Sequence, residues 1–186
     1  MVAGVAAAGF GYHHFLPEPV AACAVSDAKR VIPKSGALFG VNLDWQTEKL
    51  SEHATNLGHA PAVAVQFSDI PYSNDTWQHT IDAAGQVAEN GGVMVLTLEP
   101  HAGLDAVDAG VIGRLGDDLH RLNDSGVPVI VRFAHEMNGS WYAWGQQPEK
   151  YVTKFREVAA MVHRKAPGTA MMWAPNYGGG YPFLGG

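Results

Sequence analysis

The feature that most constrains the fold is a series of five short apolar runs, separated by longer stretches with helical periodicity. The runs are nearly continuous in β-branched and aliphatic residues, and they lie at 37–43, 62–67, 93–98, 127–133 and 169–173. Strands buried on both faces of a parallel sheet have this composition. Because parallel strands need crossover connections, the pattern predicts an α/β fold with right-handed crossovers.

Proline and glycine mark the ends of the predicted helices. The clearest helix runs from Pro148 to about Lys165, with Pro148 suited to the first helical position and Pro167 and Gly168 ending it. A second runs over about 75–89 and is closed by two glycines. Residues 1–35 lack this pattern and are predicted to be a flexible N-terminal flank, which leaves 36–186 as the α/β domain.

Five parallel strands fit two architectures, an open doubly wound sheet or part of a (β/α)8 barrel. An open sheet usually carries a glycine-rich phosphate loop after its first strand. Here residues 42–47 read NLDWQT and contain no glycine. A complete barrel typically needs about 250 residues. The 186 residues therefore predict an incomplete TIM barrel of about five strands with their helices.

Composition and charge exclude several classes of function. The chain is 47% hydrophobic with a formal net charge of −6, and it has no basic cluster interleaved with aromatics, which argues against nucleic acid. Cys23 is the only cysteine, so a disulfide within the chain and a cysteine-ligated zinc site are both excluded. The apolar N-terminal residues lack the basic start of a signal peptide and the length of a membrane span. No metal or other cofactor is predicted.

Polar and aromatic residues follow each predicted strand. They lie at 44–45, 66–69, 99–101, 135–136 and 173–176, and two of these sets join a carboxylate to a histidine. In a barrel, the carboxyl ends of the strands form the active-site face. The simpler explanation, that polar residues resume where any strand ends, holds for single cases, but five together predict a site.

Glu136 is the residue most suited to chemistry at this face. Strand alternation places it on the same face as Arg132 and places His135 on the opposite face. Arg132 would then either form a structural salt bridge with Glu136 or position a group of carboxylates. A zinc protease motif fails because its second histidine would fall at Gly139. A serine-nucleophile elbow is also absent from the sequence.

Three aromatic residues follow the glutamate: Trp141, Tyr142 and Trp144. Flat rings beside a carboxylate suit sugar recognition, because the C–H faces of a pyranose stack on rings. The alternative is that at least one of them packs beneath the following helix.

The segment at 132–145, RFAHEMNGSWYAWG, resembles the fourth strand of the family-26 glycoside hydrolases, the β-mannanase family. Residues 172–176 and 91–100 resemble its fifth and third strands. The resemblance implies a (β/α)8 barrel that cleaves β-mannan, or a related β-glucan, with retention. It implies that Glu136 is the acid/base, His135 its supporting neighbour and Trp141 and Trp144 sugar platforms, with Arg132 and Glu99 also in the substrate site. Leu98 and His101 stand where many members have aromatics.

Retaining hydrolysis also needs a nucleophilic carboxylate about 5–5.5 Å from the acid/base. In the family this is a glutamate at the end of a seventh strand, which the resemblance places beyond Gly186; Glu99 and Asp44 are weaker substitutes. The alternative function is a non-catalytic carbohydrate-binding remnant of the same fold. An incomplete barrel exposes two strand edges, so self-association is expected. The resemblance also implies an extracellular location.

Overall fold

The computed structural model describes residues 24–177, which form one parallel sheet with its connecting helices. The strands are β1 (Gly40–Asn42), β2 (Val63–Asp69), β3 (Val93–Glu99), β4 (Val129–Phe133) and β5 (Thr169–Met172). The helices are α1 (Leu50–Leu57), α2 (Asn74–Asn90), α3 (Ala109–Asp124) and α4 (Pro148–Lys165). Short 3-10 turns lie at Ala28–Val31 and Leu104–Ala106. Each of the five predicted apolar runs contains or overlaps a strand, and both predicted helices are present.

The strand order shows which α/β architecture this is. The order is β1-β2-β3-β4-β5, and every neighbouring pair is parallel. A doubly wound sheet reverses its order at a switch point, whereas successive right-handed crossovers without reversal keep all helices on one face, as in a barrel. The prediction of an incomplete TIM barrel is therefore confirmed, and the open doubly wound alternative is wrong.

The two faces of the sheet differ in burial. One face packs with residues of the helices into the main core, and its side chains are almost fully buried: Ala64, Met94, Leu96, Leu98, Val129, Val131 and Phe133. The other face, the inner face of the barrel, leaves Phe67 39% exposed and Val65, Ile130 and Arg132 partly exposed. The expected self-association of the incomplete barrel stays a prediction.

Local capping explains where the helices begin and end. The Ser73 hydroxyl accepts a hydrogen bond from the N–H of Thr76 at the start of α2, and Asp108 does the same for Val111 at the start of α3. Gly91 ends α2 in the left-handed conformation, with φ 69°. None of the helices within residues 24–177 combines the length and apolar character needed to cross a membrane.

Part of the predicted flank is packed rather than loose. Residues 1–23 lie outside the described part, but Val25 is only 2% exposed and its N–H bonds the carbonyl of Asn123 at 2.8 Å. Ala28 N–H bonds the carbonyl of Pro167 at 2.9 Å. A Cβ on Gly168 would lie 2.1 Å from the Val25 carbonyl oxygen, so this close approach requires glycine. Backbone hydrogen bonds therefore hold Val25 and Ala28 in place, and the flexibility of the rest of the flank stays a prediction.

Candidate active site

Glu136 lies just beyond the carboxyl end of β4, in a backbone turn that the strand pattern did not predict. Ala134 and Glu136 both have positive φ, 47° and 53°, a conformation that non-glycine residues adopt rarely and that is often found at functional sites. The Glu136 N–H donates to the carbonyl of Ala174, at 2.7 Å, in the segment after β5. Residues from two strand ends therefore fix the position of this glutamate.

The turn also changes the direction of His135. Strand alternation predicted that His135 would face away from Arg132, but its ring lies 6.2 Å from that of Phe67, edge to face. The same Phe67 ring lies 5.3 Å from the Arg132 guanidinium carbon. The alternation ends at Phe133, and the left-handed Ala134 turns the chain, so both side chains lie on the same side.

The indole of Trp141 is hydrogen-bonded directly to Glu136. Its Nε1–H donates to Oε2 of Glu136 at 3.1 Å, and the residue remains 43% exposed. Gly139 makes this approach possible, since a Cβ there would lie 2.4–2.6 Å from the indole ring. The arrangement leaves a partly exposed indole beside a carboxylate, as stacking on a sugar would require.

Trp144 does not have the role that the resemblance implied. It is 0% exposed, so it cannot stack on a sugar, and the prediction of a second platform is wrong. Its ring stacks on Tyr142 at a centroid distance of 4.2 Å and an interplanar angle of 9°. Its Nε1–H donates to the backbone carbonyl of His135 at 2.8 Å. Trp144 therefore supports the loop after β4 from within, as a buried Trp with a satisfied N–H does.

A pair of asparagines joins the loops after β4 and β5. Asn138 Nδ2 donates to the carbonyl of Asn176 at 2.8 Å, and Asn138 Oδ1 accepts from the Asn176 N–H at 2.7 Å. Gln146 Nε2 also donates to the Asn138 carbonyl. These hydrogen bonds hold the loops after β4 and β5 together at the candidate site.

Arg132 lies on the inner face behind Glu136. Its Nε donates to Oγ1 of Thr97 at 2.9 Å, and its guanidinium lies over the ring of Phe67. Burial lowers the pKa of Arg132, while the negative charges of Glu99 and Glu136 oppose that shift. Among the ion pairs of residues 24–177, none joins Arg132 to Glu136. The geometry thus favours a cation near two carboxylates over a closed salt bridge.

Glu99 lies at the end of β3, half-buried and in register with Asp69 of β2. Burial raises the pKa of the Glu99 carboxyl, and the charge of Asp69 adds to this, whereas His101 and Arg132 oppose it. His101 itself lies 2.8 Å from Asp69, Nδ1 to Oδ1, and both side chains are exposed. Carboxylates therefore lie at three neighbouring strand ends of the same edge.

Asp44, the other residue considered as a substitute nucleophile, has its carboxylate hydrogen-bonded within its own turn. Its Oδ1 accepts from the Gln46 N–H at 3.1 Å and its Oδ2 from the Thr47 hydroxyl at 2.9 Å. An Asp engaged in this way stabilises a turn. Within residues 24–177, no three His, Cys, Asp or Glu side chains form a group that could hold a metal ion.

The model of one protein family, "Glycosyl hydrolase family 26", matches residues 45–175, which include all of these strand ends except that of β1. The chain belongs to glycosyl hydrolase family 26.

The curated relatives match short segments of the chain, and the solved structures match more of it at low sequence identity. Two mannan endo-1,4-beta-mannosidases of Bacillus subtilis are 46% identical over 35 residues and 30% identical over 59 residues, which is 10% and 16% of their lengths. A solved modular endo-beta-1,4-mannanase from Cellulomonas fimi superposes on 83% of this chain with a TM-score of 0.61 and 18% identity. This chain covers 47% of that structure, about half of its length.

The sequence did not indicate several contacts of this family-26 site. The bonds from Glu136 to Ala174 and from Asn138 to Asn176 join residues 38 positions apart. The contact of the Tyr142 hydroxyl with His135 was also missed, although the two residues lie in one motif. The glycine at 139 was the one available signal, since a glycine before an exposed tryptophan marks a possible close approach.

Proposed function

We propose that this protein is a retaining glycoside hydrolase of the endo-β-1,4-mannanase type, with Glu136 as its general acid/base. The observation that carries the proposal is the pairing of Glu136 with the exposed indole of Trp141 at the carboxyl edge of a family-26 sheet. In such a site, the acid protonates the leaving oxygen while a sugar ring stacks on the platform.

Arg132 and Glu99 have supporting roles in this proposal. The positive charge of Arg132 lies near both carboxylates, and we propose that it orients them towards substrate. Glu99, half-buried at the end of β3, is proposed to accept hydrogen bonds from sugar hydroxyls. His135 is proposed to support Glu136 through the shared turn.

The substrate that we propose is β-mannan or a related β-glucan. The names of the curated relatives and the solved mannanase support mannan as the first polymer to test. The extracellular location implied by the resemblance belongs to the same proposal.

Double displacement needs a second carboxylate as nucleophile. The family resemblance assigns it to a glutamate at the end of a seventh strand, and the described residues contain five strands. A second candidate function therefore follows for the chain by itself: carbohydrate binding at the platform without turnover. The exposed Trp141 favours binding whether or not a nucleophile is present.

The test compares hydrolysis and binding by the 186-residue chain. Mannan hydrolysis is followed by reducing ends, and mannohexaose binding by calorimetry. Glu136→Gln keeps an oxygen that accepts from the Trp141 indole but loses the acid, so turnover should fall by about 10²–10⁴-fold with binding retained. Glu89→Gln, an exposed glutamate at the end of α2, is the matched control.

Trp141→Ala should weaken binding, whereas Phe39→Ala should not, because Phe39 is exposed at the opposite edge of the sheet, before β1. Binding without turnover by the unaltered chain would support the carbohydrate-binding function instead. If neither mannan nor glucan oligosaccharides bind, both functions are refuted for this chain.

A further inference from the structure

The hydroxyl of Tyr142 lies 3.2 Å from Nε2 of His135, beside Glu136. A neutral histidine carries one ring proton, on either nitrogen, and a tyrosine hydroxyl can donate or accept. If the proton is on Nδ1, the hydroxyl donates its proton to Nε2 and has none left to donate to another partner. If the proton is on Nε2, the hydroxyl accepts and keeps its own proton for another partner. The two cases give Tyr142 different chemistry.

The surroundings of His135 favour the second case. Burial lowers the pKa of His135, and the positive charge of Arg132 adds to the effect, so the ring is neutral at neutral pH. Nδ1 is buried and has no hydrogen-bond partner among residues 24–177. Buried N–H groups without an acceptor are rare in native structures, rarer than acceptors with an unused lone pair. The proton therefore belongs on Nε2, where it bonds the Tyr142 oxygen.

The ring of Tyr142 is held in place by packing on its buried side. It stacks on the fully buried Trp144, whose indole N–H is anchored on the His135 carbonyl. Tyr142 itself is partly exposed, on the site side of that stack. Burial raises the pKa of the Tyr142 hydroxyl, and the negative charges of Glu136 and Glu99 add to this, so the hydroxyl keeps its proton. A fixed ring with a retained proton presents an oriented donor.

We propose that Tyr142 is a substrate-binding residue, whose O–H donates a hydrogen bond to an oxygen of the β-linked hexose held at Glu136 and Trp141. His135 is then a positioning residue, because its Nε2–H occupies one lone pair of the Tyr142 oxygen and directs the O–H into the site. This inference rests on the proposed carbohydrate function, and it adds a polar contact beside the stacking platform.

Two measurements on the full chain test the inference. The first is the ¹⁵N spectrum of the imidazole of His135, assigned with His135→Gln, and it should show the Nε2–H tautomer in the unaltered protein. The second is mannohexaose binding by Tyr142→Phe, which keeps the stack on Trp144 and loses only the hydroxyl. Affinity should fall by about three- to tenfold, the contribution of one neutral hydrogen bond.

Tyr151→Phe is the matched control, because the Tyr151 hydroxyl is buried in α4 without a partner among the described residues. It should leave both the His135 tautomer and the affinity unchanged. In Tyr142→Phe the imidazole resonances should shift, since Nε2–H has lost its acceptor, an effect that a merely structural ring would not produce.

An Nδ1–H tautomer in the unaltered protein would overturn the inference, whatever the sugar result. So would equal affinities of Tyr142→Phe and Tyr151→Phe in a protein that binds mannohexaose, and in that case the proposed function would stand. A complete lack of binding by the unaltered protein would overturn the proposed function and the substrate role of Tyr142 together.

Discussion

Replacing Gly139 by alanine should detach Trp141 from Glu136 without disturbing the backbone. The added Cβ would lie 2.4, 2.5 and 2.6 Å from three atoms of the Trp141 indole. Carbon atoms in contact are normally about 3.5–4.0 Å apart, so the ring must move by about 1 Å or more. Gly139 is not in the left-handed region, so the backbone accepts alanine and the clash falls on the side chain.

The expected magnitude follows from what the indole gives up. A hydrogen bond to a charged group contributes about 1.5–3 kcal/mol when it is well sheltered. Trp141 is 43% exposed, so a loss of about 1 kcal/mol in the free energy of unfolding is expected. Displacing the platform should weaken mannohexaose binding about tenfold, a loss comparable to one aromatic stack.

Chemical denaturation measures the free energy of unfolding, and calorimetry measures mannohexaose binding. The chemical shift of the Trp141 indole N–H reports whether its hydrogen bond to Glu136 is broken. Gly113→Ala is the matched control, because a Cβ there meets nothing within 4 Å and the residue lies inside α3. It should stabilise the protein by up to about 1 kcal/mol and leave binding unchanged. An unshifted Trp141 resonance with full affinity in Gly139→Ala would refute the steric reasoning.

Two further predictions concern the support of the site. Trp144→Phe should destabilise the protein by about 2–4 kcal/mol in urea denaturation, since it leaves a cavity and removes the donor from the buried His135 carbonyl. Trp173→Phe, at a 64% exposed position, is the control. Equally small losses of stability in the two variants would contradict the role of Trp144. Burial lowers the pKa of folded His135, so below about pH 6.5 the unfolded chain binds more protons than the folded protein. The free energy of unfolding should therefore decrease as the pH is lowered. His135→Gln should reduce this slope below about pH 6.5, and a slope equal to that of the unaltered protein would show that His135 is not the group responsible.

Much of the site could be located from the sequence because the relevant signals are local. The five apolar runs and the prolines and glycines between them predict parallel strands and crossover helices. In a parallel sheet the carboxyl ends of the strands meet at one edge, so the sequence predicts Glu99 and Glu136 at the same edge. The choice between a doubly wound sheet and a barrel needed the strand order, which depends on contacts between distant segments.

Strand and helix periodicity is a property of neighbouring residues, so the α/β class and the carboxyl-edge position of the candidate site could be predicted without the tertiary structure, and the local motif pointed to Glu136. The arrangement of the motif depends on packing: a left-handed Ala134 turns His135 to the side of Arg132, Trp144 is buried while Trp141 is 43% exposed, and Val25 is buried. These features arise from steric contact and hydrogen bonding between segments far apart in the chain. Periodicity carries no record of such contacts, because each depends on where another segment lies.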